Sequence, residues 1–268
     1  MPAHPTRTAV LVLLSAIVVA GSAGCRSRGD VASVPGSAQF IHMQAVKDLR
    51  NQNFENAITR LEALEARYPF SEEAKQGQLD LLYAYYKNRE AESAIDQADQ
   101  FIRENPTHPR TDYAYYIKGL VYFEGGASFF ERLFRADISK RPPQEARQSF
   151  QSFQTLVQRF PKSPYAADAR QRMIYLRNKL ADYELAVARY YMKRGAYVGA
   201  ANRARGVIET YDGAPVTLDA LAIMAEAYRR LGIDDMAVSI DEVRAQNRSP
   251  DEVDGKAAAD KPWWRFGF

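Results

Sequence analysis

The sequence predicts an all-α fold, a right-handed superhelix of about five tetratricopeptide-like (TPR) helix pairs. Three observations support this prediction. Apolar residues recur at steps of three and four within residues 39–248, equivalent residues repeat at a fixed spacing, and prolines follow the ends of apolar segments. The alternation of apolar and polar residues that would indicate strands is lacking over the same range.

The helical period is seen in five segments of the chain. In each segment the apolar or small residues fall on one side of a helix with 3.6 residues per turn. The segments are 54–64, 91–101, 146–156, 197–207 and, more weakly, 236–243.

The fixed spacing is 37 residues, and it relates alanines within these segments and tyrosines upstream of them. It separates Ala57 from Ala94, Ala200 from Ala237, Tyr85 from Tyr122, and Tyr191 from Tyr228. A helix–turn–helix unit of about 34 residues, with small residues where the helices cross, is typical of TPR proteins. We expect the alanines to allow close approach within a pair and the tyrosines to pack on the next pair.

Prolines mark where the repeated helices stop. Pro69, Pro106 and Pro161 follow the first three segments. Because proline cannot continue a helix and also restricts the residue before it, each one predicts a helix end.

Two insertions interrupt the period. Residues 124–143 separate the helices of the third pair and contain Phe129 and Phe130. This insertion is either a hydrophobic plug packed on its own repeat or a loop that docks a partner. Residues 163–180 predict an added helix or a lengthened one.

Residues 1–24 predict a lipoprotein signal peptide. The apolar run 9–20 suits an export signal and is too short to span a bilayer. It leads into small residues and then Cys25, an arrangement similar to a lipobox, although Ser22 stands where leucine is usual. We expect Cys25, the only cysteine, to carry an N-acyl chain and an S-diacylglycerol, and Arg26 implies sorting to the outer membrane. An ordinary signal peptide that contains a cysteine is the alternative.

The remaining chain is predicted to have three parts. Residues 25–38 form a lipidated tether, residues 39–248 form the TPR-like domain, and residues 249–268 form a polar and aromatic tail. The tail contains Trp263 and Trp264. It is either frayed or an interfacial anchor.

The composition and motifs argue against most chemical functions. A net charge of +3 gives no basic field for nucleic acid. His42 and His108 are the only histidines after the signal segment, so the sequence offers no Cys/His cluster for a metal. Gly125-Gly126 lacks the Lys-Ser/Thr of a phosphate loop. The sequence predicts no enzyme, no metal and no cofactor; an active site assembled from distant residues is the alternative.

A groove for polypeptide is the functional feature that the pattern favours. Repeat arrays present a concave groove lined by the first helix of each pair. Tyrosines with polar neighbours on that face suit the capture of an extended peptide. The candidates are Tyr83, Tyr85, Tyr86, Tyr115, Tyr116 and Tyr122, with Lys87, Asn88 and Lys118 beside them. For Tyr85 and Tyr122 we expect packing between repeats instead.

Several strings in the chain resemble the BamD family, lipoproteins of the outer-membrane β-barrel assembly (BAM) machinery. They include Arg67-Tyr68-Pro69-Phe70, Ala84-Tyr85-Tyr86-Lys87-Asn88, Asn105-Pro106-Thr107-His108-Pro109 and Arg194-Gly195-Ala196-Tyr197. The resemblance covers roughly residues 39–247, and a general TPR consensus would not require these strings.

The resemblance implies a scaffold that is lipid-anchored at Cys25 on the periplasmic face of the outer membrane and assists folding and insertion of β-barrel proteins. It implies that Arg203, with Arg194, binds the POTRA domain of BamA. It also implies that Tyr68, with the groove residues Tyr83 and Tyr86, meets unfolded β-barrel precursors, and that BamC and BamE are further partners. Another periplasmic TPR adaptor, coordinating cell-envelope or secretion machinery, is the alternative.

Overall fold

The computed structural model describes residues 34–133 and 143–247, and for residues 126–133 it describes the backbone alone. The predicted signal peptide, Cys25 and the C-terminal tail lie outside the described residues. Within the described residues there are ten α-helices and no strand. In chain order they are α1 (Ala38–Arg50), α2 (Phe54–Arg67), α3 (Glu72–Lys87), α4 (Ala91–Glu104), α5 (Thr111–Leu133), α6 (Gln144–Arg159), α7 (Ala166–Lys193), α8 (Tyr197–Thr210), α9 (Thr217–Arg230) and α10 (Asp234–Gln246).

The all-α prediction is confirmed, and the repeated alanines explain how the helices pack. Ala57, Ala94, Ala200 and Ala237 each have 0% exposed surface. A side chain of one carbon lets the backbones of two helices approach closely, which is the role that their spacing predicts.

Three helices end where the prolines predict. Helices α2, α4 and α6 stop two residues before Pro69, Pro106 and Pro161. At the start of α3, the side chain of Ser71 accepts a hydrogen bond from the Ala74 amide at 3.0 Å. This cap satisfies a backbone donor that would otherwise lack a partner at a helix N-terminus.

The chain divides into two compact units, and the boundary lies between Glu90 and Ala91. The first unit contains α1 to α3, with Leu61, Leu64 and Leu81 in its core. Tyr85 packs partly buried against this core, as its predicted packing role requires. The second unit contains α4 to α10 and has core clusters that run along α7, α8, α9 and α10.

Helices α5 and α6 make an unusually close approach at Gly119. A Cβ atom at this position would lie 2.5 Å from Cε1 of Phe153, whose ring is completely buried. The Ser149 hydroxyl donates to the Gly119 carbonyl at 2.9 Å. Only glycine leaves room for the phenylalanine ring between these two helices.

Both insertions are wholly or partly helical. Residues 124–133 continue α5, so the backbone at Phe129 and Phe130 belongs to a helix of 23 residues. The insertion therefore begins as a continuation of α5, and the choice between plug and docking loop stays open. The second insertion lengthens a helix, because α7 runs unbroken for 28 residues.

No helix in the described ranges combines the length and the apolar character that crossing a membrane demands.

Candidate protein-binding sites

Glu184 of α7 accepts hydrogen bonds from two arginines on the neighbouring helices. Arg147 Nη2, from α6, lies 2.7 Å from Glu184 Oε1, and Arg203 Nη1, from α8, lies 2.8 Å from Oε2. The glutamate side chain is 9% exposed, whereas the arginines are 44% and 43% exposed. Because a buried carboxylate is costly without charged partners, the two arginines stabilise Glu184, and Glu184 fixes where their guanidinium groups lie.

Two tyrosines extend this arrangement. Tyr191 lies beside Arg203, and Tyr211 lies beside Arg147. The hydrogen bond to Glu184 raises the pKa of Arg203, and burial raises the pKa of the Tyr211 hydroxyl. Arg203 is therefore charged and Tyr211 is neutral at neutral pH.

The position of Glu184 follows from the apolar face of α7. Leu180, Ala181, Leu185 and Ala188 are buried on the same helix. Spacings of three and four residues place Glu184 on the side of α7 that these residues bury. A charged residue within an apolar stripe was the signal that could have revealed this site from sequence.

An open groove of about 840 Å³ contains the two arginines and Glu184. Its other lining residues are Phe150, Gln151, Gln154, Leu180, Tyr191, Gly199, Asn202, Gly206, Thr210 and Tyr211. Most of them lie on α6 and α8, the second helices of the third and fourth pairs. This groove therefore lies mainly on second helices, whereas the tyrosine groove is predicted on the first helix of each pair.

Arg194 lies outside the groove lining. It directly follows the last residue of α7 and is exposed, and Gly195 comes next with φ of +72°. Glycine adopts this left-handed conformation without the strain that a side chain would bring, which allows the sharp turn into α8. The structure thus places Arg194 on the surface at the α7–α8 turn, whereas Arg203 lies within the groove.

In the first unit, Tyr68 lies directly after α2. Its hydroxyl donates to the Gly36 carbonyl at 2.7 Å, and the residue is 37% exposed. The hydrogen bond ties the segment before α1 to the end of α2. The aromatic ring retains surface that a partner could contact.

Tyr83 and Tyr86 lie near the C-terminal end of α3, and both are partly buried. The Tyr83 ring packs edge-on against Phe54, with 6.4 Å between ring centroids. Lys87 Nζ lies 6.0 Å from the centroid of the Tyr86 ring. Tyr85 differs from both, because its hydroxyl donates to Glu62 at 2.7 Å and its ring joins the core of the unit.

The structure does not bring Tyr68 and Tyr83 into one cluster. Tyr83 contacts Phe54 at the start of α2, and Tyr68 follows the end of the same helix. Fourteen residues at 1.5 Å per residue separate these ends by about 20 Å. Tyr68 therefore forms a surface separate from that of Tyr83 and Tyr86.

The tyrosines of the second unit divide between an open surface and the packed interior. Tyr115, Lys118 and Tyr122 line a hollow of about 260 Å³ between α5 and α6. Tyr116 instead donates to Asp168 at 2.9 Å, and burial raises its pKa to about 12. Tyr122 was expected to pack between repeats, and in the structure it lines this hollow.

One exposed aromatic residue escaped the sequence analysis. Phe70, in the turn between α2 and α3, is 94% exposed. Its residue type predicts burial, so no sequence signal distinguished it from the core phenylalanines. An exposed ring two residues from Tyr68 enlarges the apolar surface of that turn.

Both histidines of the described chain have protein partners. His42 Nε2 lies 2.7 Å from Asp80 Oδ2, and His108 Nδ1 accepts from the Arg110 amide at 3.2 Å. Among the residues that the structure describes, no three His, Cys, Asp or Glu side chains are grouped so that they could hold a metal ion.

Comparison with known proteins gives the family. Residues 36–242 match the family model YfiO, an outer membrane lipoprotein family. Outer membrane protein assembly factor BamD from Neisseria meningitidis is 42% identical over 232 residues, which are 86% of this chain and 87% of the relative. The chain belongs to the BamD family. BamD from Vibrio cholerae is 40% identical, and the match covers 79% of this chain and 88% of the relative. BamD from Haemophilus influenzae is 32% identical, and the match covers 95% of this chain and 98% of the relative.

The match to the BamD family spans almost the whole described structure. It begins before α1 and ends within α10. The family predicted from the strings around Tyr68 and Arg194 is therefore confirmed. The individual binding roles of Arg203, Arg194, Tyr68, Tyr83 and Tyr86 stay predictions.

Proposed function

We propose that this BamD-family protein is a non-catalytic scaffold of the BAM complex, which assists folding and insertion of β-barrel proteins into the outer membrane. The observation that carries the proposal is family membership over the whole repeat array, since the relatives are named outer membrane protein assembly factors. Paired helices that expose aromatic and arginine side chains suit the binding of other proteins.

The second unit binds BamA through a POTRA domain. Arg203 is partly exposed in an open groove, and arginine is well suited to interfaces with carboxylates because its planar fork donates several hydrogen bonds. Arg194 contributes a second exposed positive charge at the α7–α8 turn.

The first unit binds unfolded β-barrel precursors. The start of α2, which Tyr83 contacts through Phe54, lies about 20 Å from the end that Tyr68 follows, or roughly six residues of an extended chain. A single extended precursor segment can therefore contact Tyr68 at one end and Tyr83 and Tyr86 at the other. Phe70 adds a second ring beside Tyr68.

Replacing Tyr68 by alanine tests the precursor site. We expect Tyr68→Ala to weaken binding of a fluorescent precursor peptide by about tenfold, because an aromatic anchor is lost. Tyr68→Phe keeps the ring and removes only the hydrogen bond to Gly36, so it separates the ring from the hydroxyl. Fluorescence anisotropy gives the affinities, and BamA binding by each variant serves as the internal control. Equal peptide affinity for Tyr68→Ala and wild type would remove Tyr68 from the site.

The protein is anchored at the periplasmic face of the outer membrane by lipid on Cys25, and BamC and BamE are further partners. A match to an outer membrane lipoprotein family supports the anchor. We expect the mature chain from native membranes to begin at Cys25 and to carry three acyl chains. Intact-mass spectrometry measures this, with Cys25→Ser as the control. A mature chain that has the unmodified peptide mass would contradict the anchor.

A further inference from the structure

Arg147 has the same relation to Glu184 that Arg203 has. Each arginine donates to a different oxygen of the one carboxylate, at 2.7 and 2.8 Å, and each lies beside a tyrosine. The two guanidinium groups come from different helices and are held near each other by Glu184. Of these two arginines, the family resemblance implies a role for Arg203 and none for Arg147.

The charges of this site do not balance. Arg147, Glu184 and Arg203 are the only Asp, Glu, Lys or Arg residues that line the described groove, so its formal charge is +1. A guanidinium group has five N–H donors, and the bond to Glu184 leaves further donors on each arginine. More than two-fifths of each arginine side chain is exposed, so these donors are accessible to a partner.

We infer that Arg147 and Arg203 form one binding site for a single carboxylate, an Asp or Glu side chain of the POTRA domain of BamA. The carboxylate would bring a fourth charge that neutralises the site, with Glu184 and the partner carboxylate sharing the two guanidinium groups. This inference rests on the proposed binding of BamA by the second unit. It adds Arg147 to the interface as a direct ligand of the partner.

The competing explanation is that Arg147 only neutralises Glu184 inside the protein. In that case Arg147→Gln lowers stability and leaves BamA affinity unchanged. If Arg147 is a ligand, Arg147→Gln removes a guanidinium group that donates to the partner, and it also removes the net positive charge of the groove. We then expect Arg147→Gln and Arg203→Gln each to raise the Kd for the POTRA domain by about tenfold or more.

The test measures the affinity of the full mature chain for the purified POTRA domain by calorimetry. Arg189→Gln is the matched control, because Arg189 lies on α7 in an ion pair with Asp219 in which both side chains are 56% exposed. Arg147→Lys keeps the positive charge but lacks the planar guanidinium group. It replaces Arg147→Gln in the test if circular dichroism indicates that Arg147→Gln is misfolded. We expect Arg147→Lys also to bind more weakly than wild type.

Substitution in the partner decides whether both arginines share one carboxylate. Each Asp and Glu of the POTRA domain is changed in turn to Asn or Gln, and the affinities for wild type, Arg147→Gln and Arg203→Gln are compared. If the two arginines share one carboxylate, one POTRA variant will lack it. We expect that variant to bind wild type, Arg147→Gln and Arg203→Gln with the same affinity. An Arg147 variant with the affinity of the Arg189 control, while Arg203→Gln binds weakly, overturns the inference and leaves the proposed function standing. Absence of POTRA binding by wild type overturns both.

Discussion

Replacing Phe153 by alanine is expected to lower the free energy of unfolding by about 3–5 kcal/mol, as is usual for a fully buried aromatic side chain. Phe153 has no exposed surface, and its ring fills the space that Gly119 leaves between α5 and α6. Its removal leaves a cavity that two packed helices cannot close easily. Urea denaturation followed by circular dichroism measures the change.

The same substitution at Phe70 provides the matched control. Phe70 is 94% exposed, so Phe70→Ala should change the free energy of unfolding by no more than about 0.5 kcal/mol. A second check adds Gly119→Ala to Phe153→Ala, because the new methyl group would enter the vacated space. Gly119→Ala alone should destabilise, and the double variant should be more stable than the sum of the two single changes predicts. Equal stability of Phe153→Ala and Phe70→Ala would contradict the packing described between α5 and α6.

Reversing the charge of Arg203 is expected to weaken binding of the BamA POTRA domain by about 2–5 kcal/mol, or at least about thirtyfold in Kd. The substitution removes a donor to the partner. It also sets a second carboxylate beside Glu184, which then retains only Arg147. Arg203→Glu should therefore also lower the melting temperature slightly, while the helical content stays unchanged.

Arg189→Glu controls for charge reversal at a surface ion pair. It breaks the contact with Asp219 and changes the net charge by the same amount. Because that pair is exposed, we expect a stability change of less than about 1 kcal/mol and little change in POTRA affinity. Calorimetric titration of the POTRA domain with each variant makes the comparison. A normal Kd for Arg203→Glu would contradict the role of Arg203.

Sequence reasoning predicted the features of the fold that arise within one repeat. The spacing from Ala57 to Ala94 and from Ala200 to Ala237 marked residues that the structure buries completely. Pro69 marked the end of α2 in the same way. The proline acts on the neighbouring turns of the chain, and the 37-residue spacing repeats the same local helix pattern in another pair.

The candidate sites were harder to predict because they depend on how separate helices meet. Glu184 lies 37 residues from Arg147 and 19 from Arg203, and no pattern in the sequence joins the three. The exposure of Phe70 depends on the turn after α2, and its residue type predicts the opposite. The distance between Tyr68 and Tyr83 likewise required the packing of α3 on α2.

The most direct test of the account is a crosslinking pull-down of the full-length protein from native membranes, with mass spectrometry of the captured proteins. A scaffold of the BAM complex should recover BamA together with β-barrel precursors, and Arg203→Glu should reduce the yield of BamA while Arg189→Glu does not. Recovery of peptidoglycan enzymes or secretion components in place of BamA would contradict the account and favour a different periplasmic TPR adaptor.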